Sequence, residues 1–276
     1  SGLTTFLAMA YITVVNPSIL SEAGMDFGAV FVATCIAAAF GTMVMGIYAN
    51  YPIAQAPGMG QNAFFAFSVV IGMGHSWQTA LGAVFLSGVI FVVLSVLPVR
   101  EWLINAIPRN LKLGMASGIG LFLGFIALKN AGVVVDNPAT LVALGDLTKL
   151  EPLVCIGAFA VIAALSARGV RGAVLIGILL AAAVGWVTGN AAFHGVVAMP
   201  PSPAPVLLQL DIAAAFQWSM VTVVLSMLIV DVFDTAGTLV GVATRAGLVD
   251  EQGHLPRLRK ALLSDSTATV VGAVAG

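Results

Sequence analysis

The chain is a succession of apolar runs about as long as a bilayer is thick, joined by short polar connections, and this constrains its fold more than any other feature. A hydrocarbon core of about 30 Å is crossed by about 20 helical residues. Runs of that length lie at about 2–20, 29–48, 77–97, 111–131, 150–167, 171–188, 217–243 and 259–276. A shorter run, 61–71, follows the turn-rich stretch Tyr51 to Gly60 and cannot cross alone. Charged residues make up 8% of the chain and mean hydropathy is +1.07, whereas a soluble domain carries about 25% charge. Backbone polar groups in lipid must be satisfied within their own segment, so the runs are expected as helices of an all-α polytopic membrane protein.

Counting 61–71 as a discontinuous third element gives nine segments, and the basic residues support that count. With a cytoplasmic N-terminus, the inside connections hold Arg100, Arg109, Lys112, Arg168, Arg171, Arg245, Arg257, Arg259 and Lys260 of the 11 Lys and Arg residues. Only Lys129 and Lys149 fall outside, and the first external loop carries Glu22 and Asp26 without a base. This asymmetry follows the positive-inside rule and fails if 61–71 is not a pass. Residues 98–110, with Arg100, Trp102 and Arg109, read as an interfacial lead-in, and His194 to Pro205 as an external connection.

Function is expected where polar groups enter the apolar runs. Asp231, Asp234 and Thr238 lie at i, i+3 and i+7 within Met227 to Val240, on one helix face with Thr235 and Gly241. A carboxylate at the bilayer centre costs about 2.5–3.5 kcal/mol on insertion scales and is commonly kept for an ion, proton or substrate path. The other feature is Pro57-Gly58-Met59-Gly60, which lets helix begin only near Gln61 and reads either as a half-helix break or as an ordinary hairpin between two helices. Such a break is tolerated where it lines a cavity, and transporters build substrate sites from interrupted helices of this kind. Gln61 and Asn62 bring amides suited to a flat ligand, and Phe64, Phe65 and Phe67 bring rings that can stack on it.

The remaining chemistry-bearing residues are read as bland. Asp265, close to Arg257, Arg259 and Lys260, is expected to be structural, and His75, His194 and His254 to be loop residues without ligand spacing. Cys35 and Cys155 read as small buried hydrophobes, since no CxxC or Cys/His cluster is present. Gly114, Gly118, Gly120 and Gly124 fit close helix packing. No cofactor or metal is expected. A net charge of −1 without a long basic run argues against nucleic acid. The chain opens at Ser1-Gly2 and stops inside an apolar run, as a piece of a longer protein does.

Several motifs resemble the AzgA-like purine permeases of the nucleobase–ascorbate (nucleobase:cation symporter-2) transporters. They are Gly2-Leu3-Thr4-Thr5-Phe6-Leu7-Ala8-Met9-Ala10-Tyr11, Val15-Asn16-Pro17, and the run from Gln55 through Pro57-Gly58-Met59-Gly60-Gln61-Asn62 to Phe65. Arg100-Glu101-Trp102-Leu103-Ile104-Asn105 with Pro108-Arg109, and Val230-Asp231-Val232-Phe233-Asp234-Thr235-Ala236-Gly237-Thr238, complete the likeness. The resemblance implies fourteen segments in two inverted seven-segment repeats, with segment 3 built as a short strand plus a half-helix. This chain would then hold the first repeat and segments 8 and 9. Small-residue runs at 37–42 and 267–272 echo one another weakly.

The same resemblance implies a multi-pass importer in the cytoplasmic (inner) membrane, moving adenine, guanine or hypoxanthine by proton symport, and not an enzyme. An elevator-like movement would carry a core (1–97 and 217–276) against a gate (98–190), with 191–216 as the external connection. Gly60, Asn62, Phe64, Phe65, Asp234 and Thr238 would form the substrate site, and Asp231 with Asp234 would couple the proton. Thr238 stands where the related uracil transporters carry a histidine, and segment 10, with a further site glutamate, would begin beyond Gly276. Partners are the purine base, protons and lipid, with a homodimer among the assemblies open to it. The alternative is an anion transporter or channel of the same architecture, which should avoid two carboxylates near a half-helix dipole. An intramembrane aspartyl hydrolase wants two carboxylates about 3 Å apart, commonly from different elements.

Overall fold

The computed structural model describes residues 2–97, 109–170, 172–190, 199–249 and 255–276. Helices dominate: α1 (Gly2–Met9), α2 (Ile12–Ser21), α3 (Phe27–Ile47), α4 (Met59–Ala63), α5 (Trp77–Val96), α6 (Arg109–Asn130), α7 (Leu150–Ala167), α8 (Ala173–Val187), α9 (Ile212–Ala215), α10 (Val221–Arg245) and α11 (Leu258–Ala275). A π-helical stretch, Phe64–Gly72, continues α4, and a 3-10 turn, Trp218–Met220, leads into α10. Among the described residues, Phe27–Ile47, Trp77–Val96, Leu150–Ala167 and Trp218–Ala243 are long and apolar enough to cross a membrane. Large apolar side chains such as Ile47, Val93 and Phe159 point outward from such helices.

The apolar runs and the helices coincide closely, with local departures. The first run divides into α1 and α2 around Ala10 and Tyr11. Residues 51–58, expected to hold a short strand, form neither strand nor helix. A strand needs a hydrogen-bonded neighbour, and no described segment pairs with them. The two strands present, β1 (Val134–Asn137) and β2 (Leu141–Leu144), form an antiparallel hairpin pairing Val134 with Leu144 and Asn137 with Leu141. Asn137 Oδ1 shapes its turn by accepting from Ala139 N at 2.8 Å and Thr140 N at 3.2 Å. The interfacial reading of 98–110 falls mainly outside the described residues, as do His194 and His254. Cys35 and Cys155 are free thiols, half-buried rather than buried.

The chain forms two compact units. One comprises residues 1–11 and 118–199, in which α7 and α8 pack with Gly177 directly against Ile162. The other comprises 12–117 and 200–276 and contains every cavity residue discussed below.

In this second unit α11 lies against α3 and α5 through small residues. A Cβ on Gly41 would stand 2.9 Å from Ala268 Cβ, and one on Gly88 3.0 Å from Val270 Cγ2. Ala37 approaches Gly272 in turn, so α3 and α11 run antiparallel and the two small-residue runs of the sequence meet. In lipid, association depends on this close backbone approach, because burying apolar surface gains little there. Helix starts are capped: Asp26 accepts from Ala29 N at 2.7 Å and Ser76 from Thr79 N at 3.2 Å.

Candidate functional site

The irregular segment 51–58 is held by side chains. Gln55 N donates to Thr42 Oγ1 at 3.0 Å, and that hydroxyl donates back to Gln55 O at 3.3 Å. Gln55 Nε2 donates to Asp265 Oδ1 at 3.2 Å, and Ser264 Oγ lies 3.4 Å from Gln55 Oε1. Tyr51 is buried, with Arg257 over its ring at 4.6 Å and Arg257 N donating to its hydroxyl at 3.1 Å. Thus α3 and α11 together satisfy a stretch that makes no regular backbone ladder, the condition for irregular backbone at membrane depth. Helix resumes at Met59, two residues earlier than the sequence suggested, with Gly58 as the N-cap.

Around this break lies a cavity of about 180 Å³, lined by both polar and apolar side chains. Its walls come from α2, α3, the 55–58 segment, α4 with the π-helical stretch after it, α5, α10 and α11. Three carboxylates face it: Asp231 and Asp234 from α10, and Asp265 from α11. Asp231 is buried and accepts from Thr269 Oγ1 at 3.3 Å, a hydroxyl also 3.3 Å from Asp265 O. Asp265 accepts a close hydrogen bond from Thr235 besides that from Gln55. Asp234 is half-buried and sits against Gly58, where a Cβ would stand 2.8 Å from its Oδ2.

Elsewhere on the wall a relay of donors fixes Asn62. Its Nδ2 donates closely to Asn16 Oδ1, Asn16 Nδ2 donates to Thr34 Oγ1 at 2.7 Å, and Thr34 Oγ1 donates to Val30 O at 2.7 Å. That arrangement leaves the Asn62 carbonyl oxygen as an acceptor. Phe65 also lines the cavity.

The structure therefore brings together Asn62, Phe65, Asp231, Asp234 and Thr238 from the sequence reading. Thr238 is the most exposed of these, and its hydroxyl donates to Asp234 O at 2.7 Å within its own helix. Gly60 and Phe64 are not on the cavity wall. The α4 backbone passes into π-helix at Phe64, and successive side chains of a helix face different directions, so Phe65 turns inward and its neighbour does not.

Asp265 departs most from expectation. Its nearness in sequence to Arg257, Arg259 and Lys260 suggested a structural role, whereas the second turn of α11 carries it onto the cavity wall. Asn16, Thr34 and Thr269 were also overlooked. Their one visible signal was a polar side chain inside an apolar run. Among the described residues, no group of three or more His, Cys, Asp or Glu is placed to hold a metal ion.

Apolar helices around a broken segment, with carboxylates facing an internal cavity, define the class: a polytopic helical membrane protein. The chain belongs to the Permease family, whose model matches residues 1–276. It is 52% identical over 277 residues to a Methanocaldococcus jannaschii protein named only as a permease, covering 100% of this chain and 64% of that protein. It is 48% identical over 276 residues to the adenine permease AdeP of Escherichia coli K12, covering 100% of this chain and 62% of AdeP. Against the guanine/hypoxanthine permease PbuG of Bacillus subtilis 168, identity is 49% over 287 residues, covering 100% and 65%. The chain thus spans a little under two thirds of the length of these curated relatives.

Proposed function

We propose that the full-length protein imports purine nucleobases across the cytoplasmic membrane by proton symport. The observation that carries this reading is the shared cavity of Asp231, Asp234, Asp265 and Asn62 beside Phe65, at the break in the third segment. Purines carry ring N–H donors, which carboxylates accept, and a flat π-surface, which an aromatic side chain stacks on. The names of AdeP and PbuG, an adenine and a guanine/hypoxanthine permease, agree with that chemistry.

In this account the base rests on Phe65, with Gly58 keeping the backbone slim beside it. The Asn62 carbonyl and Asp234 accept from the base, and Thr238 borders the entrance. Asp231 carries the coupled proton or positions Asp234. Loading of base and proton together favours the state in which the core, 1–97 and 217–276, shifts against the gate, 98–190. The N-terminus is cytoplasmic, as the distribution of Lys and Arg favours.

The test is competitive uptake of radiolabelled adenine, guanine and hypoxanthine by cells expressing the full-length protein, with and without a protonophore. Saturable uptake that collapses with the proton gradient is expected. Uptake indifferent to the protonophore would remove the proton coupling, and absence of purine uptake would remove the substrate.

A further inference from the structure

Gln61 stands out on the cavity wall. It is 7% exposed, and its Nε2 is a buried donor without a hydrogen-bond partner among the described residues. Native proteins rarely leave such a group unpaired, and exceptions commonly mark a ligand or an ordered water. The other amides and hydroxyls of the wall already donate to protein: Asn62 to Asn16, Gln55 to Asp265, Thr269 to Asp231, and the remaining threonines and Asn16 as described above.

The cavity is therefore rich in acceptors, with its carboxylates and the Asn62 carbonyl, and Gln61 is the amide on its wall with no N–H committed to a described protein group. Gln61 and Asp234 flank the same glycine. A Cβ on Gly58 would lie 2.8 Å from Asp234 Oδ2 and 4.0 Å from Gln61 Cβ.

Resting on the purine reading above, we infer that Gln61 binds the substrate, donating to the base acceptor that adjoins the N–H received by Asp234. The ligand class is a base with a donor and an acceptor side by side on one edge. The N1–H and C6=O of hypoxanthine form such an edge, as do the N6–H and N1 of adenine. An acidic side chain beside an amide donor matches either pair. The terminal torsion of glutamine is broad, so the amide turns toward the cavity without disturbing the helix.

The experiment compares full-length wild type with Gln61→Leu and Gln61→Glu in inhibition of labelled purine uptake. Each parent base is paired with an analogue lacking or weakening the acceptor: adenine with 1-deazaadenine, hypoxanthine with 6-mercaptopurine. Both variants should raise the inhibition constant of the parent base about five- to tenfold, as expected for one lost hydrogen bond, and leave that of its analogue unchanged. Surface abundance measured in parallel separates poor insertion from weak binding, and the parent-to-analogue ratio is independent of the amount inserted. Equal shifts for parent and analogue, or no shift, would overturn the assignment while leaving purine transport standing. A wild-type protein that moves no purine removes both readings.

Discussion

Gln55 Nε2 donates to Asp265 Oδ1 at 3.2 Å, joining the break in the third segment to the second turn of α11 across 210 residues of sequence. The bond anchors an irregular backbone and orients a carboxylate on the cavity wall in one contact. Replacing Gln55 by Leu leaves Asp265 with Thr235 as its remaining described side-chain donor. Loss of a partner to a buried acceptor costs about 1–3 kcal/mol. Gln55→Leu in the full-length protein should therefore lower the thermal unfolding midpoint in detergent. Thr235→Val on top of it should show a non-additive effect, because both donors serve one carboxylate. Additive shifts would contradict the shared anchorage.

Close approach of α3 and α11 yields a second expectation. A Cβ on Gly41 would stand 2.7 Å from Gln55 Oε1 and 2.9 Å from Ala268 Cβ, whereas Gly46, on the same helix, has nothing within 4 Å. Overpacking of this kind costs about 1–3 kcal/mol. Gly41→Ala should lower the unfolding midpoint and the amount of folded protein recovered, and Gly46→Ala should do neither. Comparison of the two by fluorescence-detected chromatography after heating checks this.

Gly58→Ala acts on the site itself. Its backbone, at φ −71° and ψ 113°, suits alanine, so the effect falls on Asp234, whose Oδ2 must yield to the new methyl group. The expected outcome is a rise in KM of tenfold or more, about 1.4 kcal/mol, with membrane abundance close to wild type. An unchanged KM would mean that Asp234 moves aside without touching substrate.

Much of the fold could be read from run lengths, because a bilayer crossing is a count of apolar residues. The expected 29–48, 77–97 and 150–167 became Phe27–Ile47, Trp77–Val96 and Leu150–Ala167. What could not be read depends on register and contact. The face of Phe64 and Phe65 turns on a π-helical stretch that no hydrophobic period announces. Asp265 could be placed only by knowing that α11 packs beside α10 and the 51–58 segment, since its sequence neighbours are cations. The β1–β2 hairpin lay hidden because Val134, Val135, Leu141 and Leu144 blend into their apolar surroundings. The pair Asp231 and Asp234 was legible, since two acids in an apolar run are conspicuous wherever the helix packs.

Orientation rests on the basic residues and is open to labelling. Cysteines introduced singly at Ser202 and Arg168, both exposed, report on opposite sides in this account. With Cys35 and Cys155 replaced, a membrane-impermeant thiol reagent added to intact cells should modify Ser202→Cys and spare Arg168→Cys. The reverse pattern would invert the topology.

The most direct measurement is uptake of radiolabelled hypoxanthine and adenine by the full-length protein carrying Asp234→Ala, with surface abundance quantified on the same cells. Wild-type insertion and no uptake above background are expected, since the acceptor beside Gly58 and the break in the third segment is gone. Uptake at the wild-type rate would contradict this role for Asp234.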